Sequence, residues 1–385
     1  MAHWGIGSFC VDGRYIQDHF PGIGRYTYNL IDALARVAPD ERFVVFYNPA
    51  PRNTRYDIAA LARHPNVELR RVDVPTFSLA EQYRLPFVIR DLSFAICHSP
   101  YYIKPYLSRT PSIVTLFDVI PLRVPTAVPG WRARQLFRVA ATLATRTAAR
   151  VMAPSQATRD DLIARLGVPR EKIVVTPLAA DARFAPQPQT GIERVREKYQ
   201  LPAQYILSVG VNKPHKNLAT LVSALESFAI RRSPFAVPLV IAGAYDPRYP
   251  VTTSKIEHRE PEIIFLRDVP DADLPALYAG AIVFVFPSLY EGFGLPPLEA
   301  MACGAPVVCS NASSLPEVVG DAAVLVDARN AQELGSAIAR VLDDAALRDE
   351  LRAKGIAQAA QFSWERTARE TLKVYKQLAN VPIFQ

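Results

Sequence analysis

The sequence predicts an α/β protein made of two doubly wound units, each a parallel sheet covered by helices. Three observations carry this. Short, β-branched, nearly continuous apolar runs alternate with amphipathic stretches along the whole chain, as strands buried on both faces do. The 385 residues suffice for two cores. A segment rich in Pro and polar residues, DARFAPQPQTGIERVREKYQLPAQ at 181–204, separates two such series.

The strand candidates of the first series are SFCV (8–11), RFVVFY (42–47), VELRRVDV (67–74), FAICHS (94–99), SIVTLFDV (112–119), RVMAPS (150–155) and IVVTPLA (173–179). The second series comprises YILSVG (205–210), PLVIAG (238–243), EIIFL (262–266), AIVFVFPS (281–288), APVVCS (305–310) and AAVLVD (322–327). The expected domains are residues 1–185 and 186–361, followed by a helical segment, 362–385, that returns to the first domain. In such sheets ligands bind beyond the carboxyl ends of the strands, so a cleft between the domains is the place to look for a site. Every motif below lies at such an end.

Composition narrows the classes. No apolar run approaches the roughly 18 residues of a membrane span, and the first thirty residues lack a signal-peptide pattern, so the protein is expected to stay in the cytoplasm. Cys10, Cys97, Cys303 and Cys309 show no metal-ligand spacing and read as small core residues of a reducing compartment, with no metal site. Residues 1–185 hold 24 Lys+Arg against 15 Asp+Glu, whereas 186–385 hold 20 against 22. The basic half fits either an anionic partner, including membrane headgroups, or a well-solvated surface. The basic residues are dispersed without a recognised nucleic-acid motif, so no nucleic acid is expected.

The richest motif is PSLYEGFGLPPLEAMACGAPVV at 287–308. A strand ends at Pro287, a glycine turn follows, and Pro296 and Pro297 open a helix that stops near Gly304, each residue suiting its position. Gly292 and Gly294 let backbone approach a ligand, and a helix start offers N–H groups to a diphosphate. Glu291 and Glu299 accept hydrogen bonds and repel phosphate, so they suit hydroxyls. A nucleotide-sugar carries hydroxyls on both sides of its diphosphate. Taken singly, Glu299 fits a helix cap and Glu291 a solvated loop residue equally well.

The run from Val283 to Leu325 closely resembles the donor-site signature of glycosyltransferase family 4, retaining enzymes of the GT-B fold with two facing Rossmann-like domains. The resemblance extends over nearly the whole chain. It implies that Glu291 contacts donor-sugar hydroxyls, that Glu299 holds the ribose, and that backbone of Gly292, Phe293, Gly294 and Leu295 lies along sugar and phosphates. SVGVNKPHKNL (208–218) resembles the family's phosphate loop, whose lysine matches Lys216. Such a cation neutralises charge as the leaving group departs. The family's arginine just before it is missing: Val211 and Asn212 stand there, with Lys213 the nearest replacement, although lysine does not reproduce a bidentate guanidinium.

HFPGIGRYTYNL (19–30) resembles the family's N-terminal glycine loop, with Gly22, Gly24 and Arg25 on the donor diphosphate. The glycine pair alone would also fit a dinucleotide site, but the third glycine of that fingerprint is absent. At VTLFDVIPL (114–122) the family's His-Asp is replaced by Phe117-Asp118. Asp118 is a candidate catalytic residue or a loop cap. Phe117 cannot donate to a sugar 6-hydroxyl, so either the correspondence slips locally or the donor is a 6-deoxy sugar. His98, in CHSPYY (97–102), is an acceptor-side candidate or a structural histidine. Ser155 reads as the N-cap of a helix over 156–166. WRARQLFRVAATLATRTAAR (131–150) interleaves arginine with apolar residues and is either a headgroup-docking helix or an ordinary surface helix.

The resemblance implies transfer of a hexosyl group, with mannosyl from GDP-mannose first, from a nucleoside diphosphate sugar to a hydroxyl of a glycan or lipid-linked acceptor. Front-face substitution would need no metal and no cofactor. The rival readings are fucosyl or rhamnosyl transfer, a phosphorylase or epimerase on the same fold, and a nucleotide-sugar-binding subunit without turnover.

Overall fold

The computed structural model describes residues 8–128, 130–226, 237–249 and 263–379. Glu262 of one strand candidate and residues 380–385 of the terminal segment lie outside them. The chain divides into two compact units. Unit 1 takes residues 1–122, 131–178 and 363–385, and unit 2 takes 123–130 and 179–362. The division therefore falls between Leu178 and Ala179, a few residues before the expected boundary at 185, and a short segment at 123–130 joins the second unit.

Unit 1 is built on a seven-stranded sheet of β1 (Phe9–Asp12), β2 (Phe43–Tyr47), β3 (Val67–Arg71), β4 (Ile96–Ser99), β5 (Ser112–Thr115), β6 (Arg150–Ala153) and β7 (Ile173–Val175). Their order is β3-β2-β1-β4-β5-β6-β7, and every pairing is parallel. Unit 2 carries a six-stranded parallel sheet of β8 (Ile206–Val209), β9 (Leu239–Ala242), β10 (Ile263–Leu266), β11 (Val283–Phe286), β12 (Val307–Ser310) and β13 (Val324–Val326). Its order is β10-β9-β8-β11-β12-β13. Each strand candidate thus forms a strand; β1 keeps the length of its candidate and is shifted one residue on, and the other strands are shorter than theirs. The run at 112–119 shows why. Leu116 N–H still reaches Met152 O at 2.9 Å, and then the chain turns at Phe117-Asp118 away from β6.

Both sheets reverse direction of build at one point, between β1 and β4 in unit 1 and between β8 and β11 in unit 2. There the loops leave a crevice at the strand ends. The core of unit 2 packs Ile206, Leu239, Val283, Val285, Val308 and Ile338 beneath that point, all at most 1% exposed. In unit 1 the helix Pro21–Val37 buries Tyr26, Leu30, Ile31 and Leu34. The helix Trp364–Ala379 packs against it, with ion pairs from Arg36 to Glu365 and from Lys376 to Glu41 at 2.8 Å. No helix among the described residues is long and apolar enough to cross a membrane. The four cysteines are buried and unbridged.

Candidate functional site

In unit 2 the loops after β8 and β11 meet at the reversal point. The first contains a 3-10 turn, Pro214–Lys216, closed by Asn217 in the left-handed region at φ 57°. The second runs from Pro287 into the helix Leu295–Ala302. Main-chain groups lock the two together: His215 O accepts from Leu289 N–H at 2.7 Å and from Ser288 Oγ at 3.2 Å. Asn217 Nδ2 donates to Pro287 O at 3.2 Å and to Ala328 O at 2.7 Å.

This clamp brings Lys216 and Glu291 together. Lys216 Nζ lies 2.7 Å from Glu291 Oε1, with the two side chains 17% and 12% exposed. Nζ also sits over the Phe286 ring, 4.7 Å from its centroid. Glu291 Oε1 accepts from Ser288 Oγ as well, and its Oε2 takes no part in these bonds. Burial alone would raise the Glu291 carboxyl, but Lys216 holds it below the ordinary range. Burial pushes His215 down to about 4. At neutral pH the Glu291 carboxylate is therefore ionised and the His215 imidazole neutral.

A third loop, after β12, supports the turn. Ser313 Oγ accepts from Glu291 N–H at 2.8 Å, and Ser314 Oγ lies 3.0 Å from Glu291 O and 2.7 Å from Phe293 O as a donor shared between them. Phe293 is buried and meets Phe362 edge-on at 5.8 Å. Gly294 has φ 113°, and a Cβ there would stand 2.7 Å from Leu315 Cδ2, so only glycine fits. Two of the first three helical positions, Pro296 and Pro297, have no N–H. The donors at this helix start thus reduce to those of the turn, Gly294 and Leu295, fewer than a helix start ordinarily offers. Glu299 sits inside the helix at 2% exposure and accepts from Tyr278 Oη at 3.1 Å.

Lys213 caps the 3-10 turn with its backbone, and its side chain is half-buried. Asn212, one of the two residues at the place of the expected arginine, is a structural clip. Its amide donates to Asp246 O at 3.0 Å and Tyr249 O at 2.5 Å, and its oxygen accepts from Asp246 N–H at 2.6 Å. Sequence reasoning missed Ser313, Ser314, Asn217 and Tyr278. The adjacent serines at a strand end, just before Leu315-Pro316, were the available signal for the first two.

In unit 1 the expected glycine loop is helix. Pro21 starts the first turn, so Gly22 and Gly24 are helical, and Gly24 N–H donates to Phe20 O at 2.7 Å. Gly24 is small because the helix rests on the preceding turn, where a Cβ would lie 3.2 Å from Tyr15 O. Arg25 Nε donates to Tyr56 Oη at 3.2 Å. Asp118 Oδ1 accepts from Ile120 N–H at 2.8 Å, capping the short helix Ile120–Arg123. Phe117 packs edge-on against Tyr26 at 4.9 Å. His98 corrects an expectation. Its ring is 1% exposed, with Nδ1 2.6 Å from Tyr375 Oη and Nε2 2.7 Å from Thr115 Oγ1. Both nitrogens are committed inside the core, and burial lowers its pKa to about 3. It is a structural histidine and has no atom left for an acceptor. No group of three or more His, Cys, Asp or Glu that would hold a metal ion occurs among the described residues.

Residues 21–184 match the family described as Glycosyltransferase Family 4, and residues 191–358 match Glycosyl transferases group 1. The chain is 34% identical over 370 residues to the O-antigen chain mannosyltransferase B of Escherichia coli, covering 93% of this chain and 96% of the relative. Its fold matches a sucrose-phosphate synthase from Thermosynechococcus elongatus with TM-score 0.76, at 20% identity, over 97% of this chain and 99% of that one. An Anabaena protein crystallised with UDP and glucose matches with TM-score 0.72, at 22% identity, over 97% of this chain and 100% of that one. The architecture is GT-B, two Rossmann-like units, and the chain belongs to glycosyltransferase family 4.

Proposed function

We propose that this glycosyltransferase moves a mannosyl group from GDP-mannose to a hydroxyl of a glycan or lipid-linked acceptor in the synthesis of a cell-surface polysaccharide. The observation that carries the reading is the Lys216–Glu291 pair at the β8–β11 crevice. It keeps a cation and a sugar-binding carboxylate aimed at one place, held there by three loops. The mannosyltransferase name of the Escherichia coli relative supports the choice of sugar, and the UDP in the Anabaena structure supports a nucleoside diphosphate as a ligand of this fold.

In this reading Glu291 binds donor-sugar hydroxyls and Glu299 the ribose, while Lys216 and the amides of Gly292 to Leu295 hold the diphosphate. Lys213 and Arg25 are further cations for it, with Gly22 and Gly24 beside Arg25. Transfer retains configuration by front-face attack. The C1–O bond to the diphosphate breaks, the acceptor oxygen bonds to the same face, and its proton passes to the departing phosphate oxygen. Lys216 stabilises the charge that develops there, so the reaction runs without a metal or a cofactor. The protein works in the cytoplasm, with peripheral contact to a membrane through unit 1.

The test is a panel of nucleotide-sugars followed by thermal shift and then by product analysis with glycan acceptors. GDP-mannose should raise the melting temperature and yield an α-linkage, the donor's own anomeric configuration, unchanged by EDTA; a β-linkage would overturn retention. A stabilising UDP-sugar with no response to GDP-mannose would overturn the donor. Phe117, packed on Tyr26 where the family has histidine, favours a second reading, a 6-deoxyhexose donor. Equal turnover of a sugar and its 6-deoxy analogue by wild type and by Phe117→His would count against it.

A further inference from the structure

Among the described residues, nine of the ten large apolar side chains that stand strongly exposed fall between residues 77 and 143, all in unit 1; the tenth is Ile356. They form stripes. The helix Gly130–Thr147 buries Phe137, Ala141, Ala144 and Thr145 on its inner face. A surface helix ordinarily turns polar residues outward. This one turns out Leu136, Val139 and Leu143, which are 71%, 63% and 44% exposed and spaced three and four apart on one side. Trp131, 63% exposed, stands in the first turn.

A neighbouring helix repeats the arrangement. Leu79–Leu92 is fixed from within by Leu85, Ile89 and Glu81, whose Oε1 lies 2.5 Å from Arg14 Nη2. Outward it presents Leu79, Tyr83 and Phe87 at 86%, 53% and 57%, one helical turn apart. The loop between the two helices ties them. Gln82 Nε2 donates to Lys104 O at 3.2 Å, and Lys104 Nζ reaches Thr147 O at 3.4 Å. That loop adds Leu107, 71% exposed.

Charge decides what such a face meets. Between Asp118 and Asp160 the sequence contains seven arginines and no acidic residue. Arg132, Arg138 and Arg146 are exposed on the same helix as the apolar stripe. On Leu79–Leu92, Arg84 is exposed and Arg90 lies over the Phe87 ring, 5.2 Å from its centroid, beside Asp91 at 3.6 Å. A second copy would bring this cationic helix against another, at a repulsive cost. A surface both apolar and anionic complements it.

We propose that this face of unit 1 docks on an anionic lipid bilayer, with the Leu136, Val139 and Leu143 stripe at the acyl boundary and the arginines on lipid phosphates. The proposal deepens the lipid-side part of the proposed function and stands apart from its donor chemistry. The full chain, without donor, should sediment with vesicles of phosphatidylcholine and phosphatidylglycerol, and bind pure phosphatidylcholine at least roughly tenfold more weakly, with salt reducing the difference. Leu136→Ser/Val139→Ser/Leu143→Ser should weaken binding to the anionic vesicles at least tenfold, and Arg132→Glu/Arg138→Glu should do the same through charge alone. Both variants should keep the wild-type melting temperature and wild-type transfer to a short water-soluble acceptor; loss of that transfer in wild type too would indict the donor reading and not this one. Wild-type failure to sediment with anionic vesicles, or equal binding by wild type and both variants, overturns the proposal. So does a wild-type dimer in velocity sedimentation that the triple variant abolishes.

Discussion

Lys216 Nζ and Glu291 Oε1 lie 2.7 Å apart although 75 positions separate them in the chain, and both side chains are mostly withdrawn from water. Removing one partner of such a pair leaves the other charge buried alone. Lys216→Met should therefore cost about 3 kcal/mol of unfolding free energy. The double variant Lys216→Met/Glu291→Gln should recover part of that loss in urea unfolding. Equal instability of the single and double variants would show that no buried charge had been stranded. In catalysis, Glu291→Ala should remove roughly 1.5–3 kcal/mol of transition-state stabilisation, read from kcat/KM.

The ribose assignment gives a kinetic signature. A contact that is the same before and during reaction governs KM and leaves kcat alone. Glu299→Ala should raise the donor KM at least roughly tenfold, the size of a charged hydrogen bond, with kcat little changed. Tyr278→Phe, which removes only the neighbouring hydroxyl, serves as the control for packing. Unaltered donor affinity in Glu299→Ala would show that the ribose lies elsewhere.

Stability should fall on acidification before the carboxylates titrate. His98 and His215 are held neutral by burial, at about 3 and about 4, against an ordinary value of about 6.5. Between those values the unfolded chain binds protons that the folded chain refuses. Stability from each histidine is complete above about pH 6.5 and is lost as pH drops toward its folded value, at roughly 1.4 kcal/mol per unit. Glu291, depressed by Lys216, adds its loss lower, below the ordinary carboxylate range. Melting temperature followed from pH 7.5 to 4 should decline, and His98→Gln should flatten the slope. An equally steep slope in that variant would remove His98 as a cause.

Asn217 combines a backbone requirement with three side-chain bonds, the third accepted by its Oδ1 from Thr220 Oγ1 at 2.7 Å, and substitution separates the two. Asn217→Ala should lose about 1 kcal/mol per hydrogen bond, plus about 1–2 kcal/mol for placing alanine in the left-handed region. Asn217→Gly should relieve the second loss and keep the first. Thermal unfolding is expected to rank wild type above glycine and glycine above alanine.

Much of this was legible beforehand. Most strands of the described residues announced themselves because a strand buried on both faces needs a nearly unbroken apolar run; β3, VELRR at the sheet edge with Arg70 and Arg71 exposed, is the exception. Lys216 and Glu291 were each legible as loop residues at a strand end. Their bond was not, because it depends on β8 lying beside β11, a choice made by sheet order. His98 misled for a related reason: its place at the end of β4 resembles a site, but its ring points to Thr115 and to Tyr375, a residue 277 positions later. Gly22 and Gly24 look like a loop until Pro21 is seen to begin the helix. The apolar residues of Gly130–Thr147 gave no warning of two faces, since periodicity alone does not say which one the core takes.

The last helix of unit 1 has a consequence for synthesis. Trp364–Ala379 supplies Tyr375 to His98 and covers Phe9 and Tyr26, yet it leaves the ribosome after the whole of residues 179–362. At ordinary translation speeds that wait lasts about ten to forty seconds. During it the nascent first unit carries an open greasy seam, while the second can already be complete. Messages cut short before codon 364 should therefore yield a product that aggregates through its amino-terminal half, and this chain should depend on chaperones chiefly in that interval.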